Sequence, residues 1–315
     1  MGIVNPPDVH PAIMRALYRL CVELGSGFVA SEQDYVAMLA PSPPINEGED
    51  PSLSARLTVE EATEIGLLEP RGEGANRRLG LALPIPPEGA DGPEAERFFV
   101  RELRRLILRP ANNSPLFPEE DADDEAEGKR EPAWTVKSRE FSRIQAWVLH
   151  QGPLGVALNF AQKDAHRNVQ LLEGRYANRD LVGNATRWNS FRRWSLYLGF
   201  SRQTAQSAVI ADPTEAVSDE LVDIDDGSGE IALVDLRSSL AERLPVLDGG
   251  SYREDVLRHI GAQETPEDFS PSLSLALLRA ERAGLLSLVH RADFAAGTPK
   301  VGSAPFTHAV FEARR

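Results

Sequence analysis

The chain has 315 residues, of which 42% are hydrophobic, and it carries a formal net charge of −14 at pH 7. This length and apolar content suffice for two or three domains with buried cores, and they exclude an intrinsically disordered chain. The single cysteine, Cys21, excludes an internal disulfide and a cysteine-rich zinc site, and it favours a reducing compartment. Because no apolar run approaches the roughly 18 residues of a membrane helix, we expect a cytoplasmic protein with no membrane partner.

The first segment, residues 1–90, has the pattern of a winged helix. Apolar residues with helical spacing predict a first helix over 11–24, and Ser31 with Asp34 predicts a capped second helix that ends near residue 39. Thr58 with Glu61 predicts the start of a third helix, which ends at Gly66. A hairpin with a glycine-rich tip follows up to residue 84. Three helices and a hairpin predict an N-terminal winged-helix domain.

The second segment, residues 91–136, combines one helix with an acidic run. Apolar residues at helical spacing predict a helix over 93–108, and residues 119–127 then contain seven acids in nine positions. Such a block repels itself, so we expect an exposed and disordered linker. An acidic tail that mimics DNA or docks on a basic partner is the alternative.

The third segment, residues 137–245, contains the basic part of this acidic protein. Residues 137–202 carry 11 basic and 4 acidic side chains, whereas the flanking regions are acidic. Phe191, Trp194 and Leu198 form the apolar stripe of a helix that ends in glycine and an apolar strand, as the N-terminal unit does. Further on, residues 220–224 and 230–236 read as short strands around a glycine-rich turn. We therefore predict a helical, winged-helix-like middle domain.

The last segment, residues 246–315, repeats the N-terminal pattern. Helices are predicted over 252–260 and 270–283, and a hairpin follows from 285–289 to 306–311. This pattern predicts a C-terminal winged-helix domain. The expected fold is mainly α (α+β), with tandem winged-helix domains flanking a helical basic middle region.

Positive charge concentrates on the surface of a protein that contacts nucleic acid, and arginine makes bidentate contacts with phosphate and guanine. The middle segment is the best candidate, whereas the third helix of the N-terminal unit carries Glu60, Glu61 and Glu64 and would repel phosphate. The predicted nucleic-acid-binding residues are Arg187, Arg192, Arg193, Arg175, Arg179, Lys163, Arg167, Arg77, Arg78 and Arg279. The alternative is an ordinary exposed helical face. Trp188 either stacks on a base or fills a second layer of the core.

No motif in the sequence indicates a reaction. A phosphate-binding loop, a dinucleotide fingerprint, a zinc-protease motif and a serine elbow are all missing, and the six histidines lack metal-ligand spacing. Residues 223–230 superficially resemble a calcium loop, but the glycine comes too early and position 234 is valine. We therefore expect a protein that is not an enzyme and that has no cofactor and no metal.

The chain resembles the DpdG family in three parts. These are residues 187–200, residues 209–214, which contain Asp-Pro-Thr, and residues 273–293. That family is a component of bacterial gene clusters built around 7-deazapurine modification of DNA and phage restriction. The resemblance implies a non-catalytic subunit of a multiprotein anti-phage defence system, with other protein subunits as partners. Together with the basic segment, it predicts an adaptor that contacts the backbone of double-stranded DNA.

The chain is also similar to tandem winged-helix subunits that bind SMC-type ATPase complexes. Those subunits are often acidic and use their winged helices for protein contacts. This second resemblance implies the alternative function, a protein–protein scaffold of an SMC-like or other ATPase or nuclease complex. Steep salt dependence of DNA binding would favour the adaptor. Retained partner binding without DNA affinity would favour the scaffold.

Overall fold

The computed structural model describes residues 2–4, 9–25, 27–40, 50, 52–72, 77–117, 138–153, 185–205, 208–225, 229–264, 268–291 and 299–312. The fold is mainly helical with small antiparallel sheets, which confirms the predicted mainly α (α+β) class. The chain forms two compact units rather than the predicted linear series. Unit 1 comprises residues 1–141 and 184–197, and unit 2 comprises residues 142–183 and 198–315.

Unit 1 begins with two helices that start and end where local sequence rules place them. Helix α1, Pro11–Leu24, has proline in its first turn, buries Met14, Leu17 and Cys21, and ends at Gly25. After the short strand β1, Val29–Ala30, helix α2 covers Glu32–Leu39. Ser31 and Asp34 form both halves of the predicted capping box.

The third helix and the hairpin of unit 1 follow. Helix α3, Leu53–Ile65, ends at Gly66 in the left-handed conformation, as predicted. The predicted capping box at Thr58 is wrong, because Thr58 lies inside the helix and its hydroxyl donates to the Ser54 carbonyl. Strands β2, Leu68–Arg71, and β3, Arg78–Leu81, pair antiparallel, and β3 lies between β2 and β1.

Helix α4, Gly92–Leu108, covers the core of unit 1. Asp91 and Glu94 form a capping box, and a proline occupies the first turn. Phe99 and Leu103 are buried, and the Phe99 ring stacks on Tyr18 of α1 with 4.2 Å between centroids. The helix that was predicted over 93–108 is therefore confirmed.

A helix from much later in the sequence completes the core of unit 1. Helix α5, Arg139–Gln151, begins in unit 1 and continues in unit 2. Helix α6, Ala185–Tyr197, belongs to unit 1 and buries Trp188, Phe191 and Trp194. The indole Nε1 of Trp194 donates to the Val9 carbonyl at 3.2 Å, and the Ser190 hydroxyl donates to the Ile3 carbonyl. The N-terminal residues of the chain thus pack on α6.

After the C-terminal part of α5, the described part of unit 2 continues with a hairpin and two helices. Strands β4, Ser201–Gln203, and β5, Val209–Ala211, pair antiparallel. Helix α7, Thr214–Ile224, strand β6, Glu230–Ala232, and helix α8, Leu233–Arg243, then follow. Strands predicted over 220–224 and 233–236 are wrong, because these residues belong to α7 and α8. Their apolar residues fit a helical stripe as well as a short strand, and burial of Val217, Leu221, Leu236 and Leu240 selects the helix.

The C-terminal part contains helix α9, Ser251–Ile260, helix α10, Pro271–Arg282, and strand β7, Leu286–Val289. A small hairpin of β8, Lys300–Val301, and β9, Ala304–Pro305, precedes β10, His308–Phe311. Strand β10 lies between β7 and β6, so the sheet repeats the β1-β3-β2 arrangement of unit 1. Because β6 is part of this sheet, the predicted domain boundary between residues 245 and 246 separates elements that belong together.

Candidate nucleic-acid interface

Helix α6 has an exposed face that carries no acidic side chain. Ala185, Thr186 and Asn189 are exposed, and Arg192 and Arg193 at the flanks of the same face are half-buried. No aspartate or glutamate occurs anywhere in this helix. The opposite side is anchored by the buried aromatic rings described above. The structure therefore brings two of the predicted arginines to one surface, around Asn189.

Arg187 and Trp188 lie away from that face. Arg187 precedes Phe191 and Trp194 by four and seven positions, which places it on the buried side of α6, and it is half-buried. Trp188 is only 4% exposed, and its ring lies 5.3 Å from that of Phe191. This supports the core interpretation of Trp188 rather than stacking on a base.

The charge of Arg193 acts on a histidine at the start of α1. His10 caps α1 by accepting a hydrogen bond from the Ala12 amide. Burial lowers the pKa of His10, and the positive charge of Arg193 lowers it further. Both effects favour the neutral form of His10, so Arg193 supplies the positive charge of this pair.

Four of the predicted residues, Lys163, Arg167, Arg175 and Arg179, lie outside the described residues. The remaining basic residues of the segment show why segment charge differs from surface charge. Arg139 and Arg143 are buried, and the Arg139 Nε donates to the Asn113 carbonyl at 3.2 Å. These two guanidinium groups contribute to the core rather than to a surface that DNA could reach.

The predicted wing residues of unit 1 are exposed. Arg77 is exposed, and Arg78 lies 3.6 Å from the Asp34 carboxylate at the start of α2. Their neighbour Arg71 donates to Glu69 at 3.3 Å and to the Leu81 carbonyl at 3.0 Å. Carboxylates therefore offset part of the positive charge of this hairpin.

Arg279 pairs with a buried carboxylate in unit 2. Asp212 follows β5, its side chain is only 2% exposed, and it forms ion pairs with Arg279 and with Arg202. It also accepts hydrogen bonds from the amide and hydroxyl of Thr214 at the start of α7. The Asp-Pro-Thr sequence at 212–214 thus ties the hairpin, α7 and α10 together. Sequence reasoning missed this contact, although an aspartate two residues before a helix start is a recognisable capping signal.

Among the described helices, three precede a hairpin, and they differ in what they expose. Helix α10 is mostly covered, since Pro271 and Arg282 are its exposed residues. Helix α3 exposes Arg56, which pairs with Asp50 at 4.0 Å, together with Glu64. Helix α6 is the member of this set that contains no acidic residue, and its exposed Asn189 lies beside the half-buried Arg192 and Arg193. It is the strongest candidate to contact DNA.

Within the described part of the chain, His, Cys, Asp and Glu side chains form no group of three or more that could hold a metal ion. The helices of that same part are also too short or too polar to cross a membrane.

Comparison with known proteins places the chain in a family. Searches of curated proteins and of solved structures find no significant similarity. A family model described as DpdG-like matches residues 1–294, which is nearly the whole chain. This confirms the resemblance that the sequence suggested, and the family indicates a role in a 7-deazapurine DNA modification cluster. The chain belongs to the DpdG-like family.

Proposed function

We propose that the protein is a non-catalytic, DNA-binding adaptor subunit of a multiprotein anti-phage defence system. The observation that supports this function best is the exposed face of α6, where Arg192 and Arg193 flank Asn189 and no acid occurs. Membership of the DpdG-like family supports a setting in which DNA is the common substrate.

The charge distribution supports this assignment physically. Phosphates are attracted to clustered arginines, and the release of condensed cations makes such binding strong at low salt. The chain as a whole carries −14, so the average charge of the rest of the protein is unfavourable for a duplex. A local basic helix on an acidic protein therefore orients the DNA. The sequence offers no catalytic motif, so the proposal assigns chemistry to partner subunits.

Binding of fluorescent duplex DNA across a salt series tests the proposal. The test compares the wild-type chain with Arg192→Glu/Arg193→Glu. A matched control, Arg19→Glu/Arg258→Glu, makes the same charge change at exposed arginines of α1 and α9, whose side chains are 60% and 72% exposed. Circular dichroism and unfolding curves of all three proteins establish that each is folded.

We expect wild type to show a log–log salt slope of several units, because each phosphate contact contributes about −0.9. In the α6 variant the slope should become shallower by the contribution of roughly two phosphate contacts. In the control it should change much less. Equal loss in both variants would mean that net charge rather than α6 governs binding. Wild type that fails to bind at low salt would contradict direct DNA binding by this chain.

A protein–protein scaffold is the second candidate function. It is favoured by the exposed apolar side chains Leu24, Val29 and Met38, which lie on α1, β1 and α2 of unit 1. The acidic α3 also suits a protein partner better than DNA. Co-expression with other subunits of the same system tests this function. A Met38→Glu variant that remains folded but loses a subunit would support it.

A further inference from the structure

The residue that precedes α1 lies beside the exposed face of α6. The indole Nε1 of Trp194 donates to the Val9 carbonyl at 3.2 Å, which brings the chain neighbours His10 and Arg193 close together. The charge of Arg193 acts on the His10 ring, as this proximity requires. Both residues are half-buried, so both keep some access to solvent. An ionisable group from outside α6 is therefore placed at the edge of the face proposed to bind DNA.

Local hydrogen bonds fix the position of His10 and the form of its ring. Its carbonyl accepts from the Ile13 and Met14 amides in the first turn of α1. Its Nδ1 accepts from the Ala12 amide at 3.4 Å. Because Nδ1 accepts, the neutral ring carries its hydrogen on Nε2 and can donate it to a phosphate oxygen. A second proton would bind Nδ1 and would replace this long hydrogen bond with a positive charge.

The surroundings of His10 oppose that second proton in the absence of an anion. Burial lowers the pKa of His10, and the charge of Arg193 on α6 lowers it further. Among the described residues, the next charged side chain on α1 is Arg15, and Glu96 of α4 offsets it at 3.0 Å. A phosphate beside Arg193 would offset the guanidinium charge and would also attract an imidazolium. Both effects raise the pKa of His10.

We propose that His10 extends the DNA-binding face of α6 and takes up a proton from solvent when a DNA phosphate binds beside Arg193. Binding of the duplex and binding of the proton then favour each other, because coupling between two sites is reciprocal. The pKa of His10 lies below its ordinary value without DNA and is higher with DNA. The affinity should therefore rise as the pH falls through the window between these two pKa values and should level off outside it. This inference rests on the proposed function, because it adds proton linkage to the same face.

Isothermal titration calorimetry of the full chain with a short DNA duplex at low salt tests this linkage. Titrations at one pH in two buffers that differ in ionisation enthalpy give the number of protons taken up when DNA binds. We expect wild type to take up a fraction of one proton between pH 6 and pH 7, where histidine titrates. The duplex should bind about fivefold more tightly at pH 6 than at pH 8, which is the size of one charge–charge interaction in water.

Variants assign the proton to a residue. His10→Asn keeps a strong N-cap for α1 but removes the titrating ring, so it should lose most of the proton uptake and most of the gain in affinity at low pH. The matched control His290→Asn removes an exposed histidine of unit 2 and should keep both. Arg193→Gln should bind DNA more weakly and take up fewer protons, because DNA then has no guanidinium charge to offset beside His10.

The outcomes separate this inference from the proposed function. DNA binding by wild type without proton uptake would overturn the linkage and leave DNA binding intact, and this result needs no variant. Proton uptake that persists in a folded His10→Asn protein would exclude His10 as the group that binds the proton. Absence of DNA binding at every pH would overturn both proposals. Circular dichroism and urea unfolding at both ends of the pH range establish that each variant is folded.

Discussion

At the scale of single residues, Asp212 shows how one buried carboxylate organises a region. Asp212 forms ion pairs with Arg202 and Arg279. It also accepts a hydrogen bond from the Thr214 amide at the start of α7. Arg279 had been predicted to bind nucleic acid, and its nearest charged group in the structure is this carboxylate. Its contribution to stability is therefore measurable apart from any DNA binding.

Asp212→Asn should lower the free energy of unfolding of the full chain by about 2 kcal/mol. This is less than the roughly 3–5 kcal/mol for breaking a fully buried pair, because the side chains of Arg202 and Arg279 are 52% and 37% exposed and regain water. Urea unfolding measures the change. The control Glu215→Gln removes only the exposed pair with Arg202 at 3.8 Å and should alter stability by less than about 0.5 kcal/mol. Equal effects of the two variants would contradict the assigned role of Asp212.

A second residue-scale prediction concerns pH. Burial of Glu264 would raise its pKa, but hydrogen bonds and charges from His150 and Arg253 outweigh burial and lower the pKa to about 2. A carboxyl whose folded pKa is depressed stabilises the fold above its unfolded value near 4.5, and this contribution disappears as pH falls towards 2. Wild type should therefore be more stable than Glu264→Gln at pH 6, and the difference should shrink steadily below pH 4.5. A difference that is constant from pH 6 to pH 3 would contradict the lowered pKa.

At the scale of elements, the ends of helices follow local chemistry. Helix α3 ends at Gly66 with φ near +85°, and an added Cβ there would collide with the Arg109 guanidinium. Arg109 donates to the Ile65 carbonyl at 2.7 Å, so it occupies the space beside this glycine to satisfy a helix-terminal acceptor. The C-terminal end of α3 and Arg109, the residue after α4, are therefore in direct contact.

Gly66→Ala should destabilise the protein more than Gly261→Ala. Both glycines end a helix in the left-handed conformation, but an added Cβ at Gly261 meets open space. We expect Gly261→Ala to lower the free energy of unfolding by about 1 kcal/mol because of backbone strain. Gly66→Ala should lower it by about 1 kcal/mol more, because Arg109 must also move. Urea unfolding of the two variants measures the difference. Equal losses would show that Arg109 relocates without cost.

Elements with similar sequence patterns differ in what their tertiary surroundings leave exposed. Helices α3, α6 and α10 each precede a hairpin, and each was predicted from periodicity and a terminal glycine. Their burial separates them: α10 is mostly covered, α3 exposes Arg56 and Glu64, and α6 exposes Thr186 and Asn189 beside the half-buried Arg192 and Arg193. The pattern in the sequence predicted helix type and position, whereas the packing of neighbours determined which side chains each helix exposes.

At the scale of the whole molecule, the order of the chain differs from the order of the compact units. Residues 184–197 belong with residues 1–141, although more than 40 residues of unit 2 lie between them in sequence. Trp188, Phe191 and Trp194 of α6 are all buried within unit 1. Unit 1 therefore depends on a helix that sequence reasoning had assigned to a separate middle domain.

A fragment of residues 1–117 should fail to unfold cooperatively, because it lacks these three aromatic side chains, each worth about 3–5 kcal/mol when buried. It should bind a hydrophobic dye, and a fragment of residues 138–315 added in trans should restore cooperative unfolding. Near-ultraviolet circular dichroism and urea titration report both states. An independently folded fragment 1–117 with a cooperative transition would contradict the dependence on α6.

The sequence by itself determined the local elements: α1 from its apolar stripe, α2 from the Ser31–Asp34 capping box, and the end of α3 from Gly66. It also gave the mainly helical fold class and the family, because caps, periodicity and short motifs act within a few residues. The tertiary structure alone decided that β6 pairs with β10 and that Arg139 and Arg143 are buried. It also decided that Arg279 meets Asp212, which lies 67 positions away. Such contacts depend on which distant surfaces are buried together, and no local pattern specifies that choice.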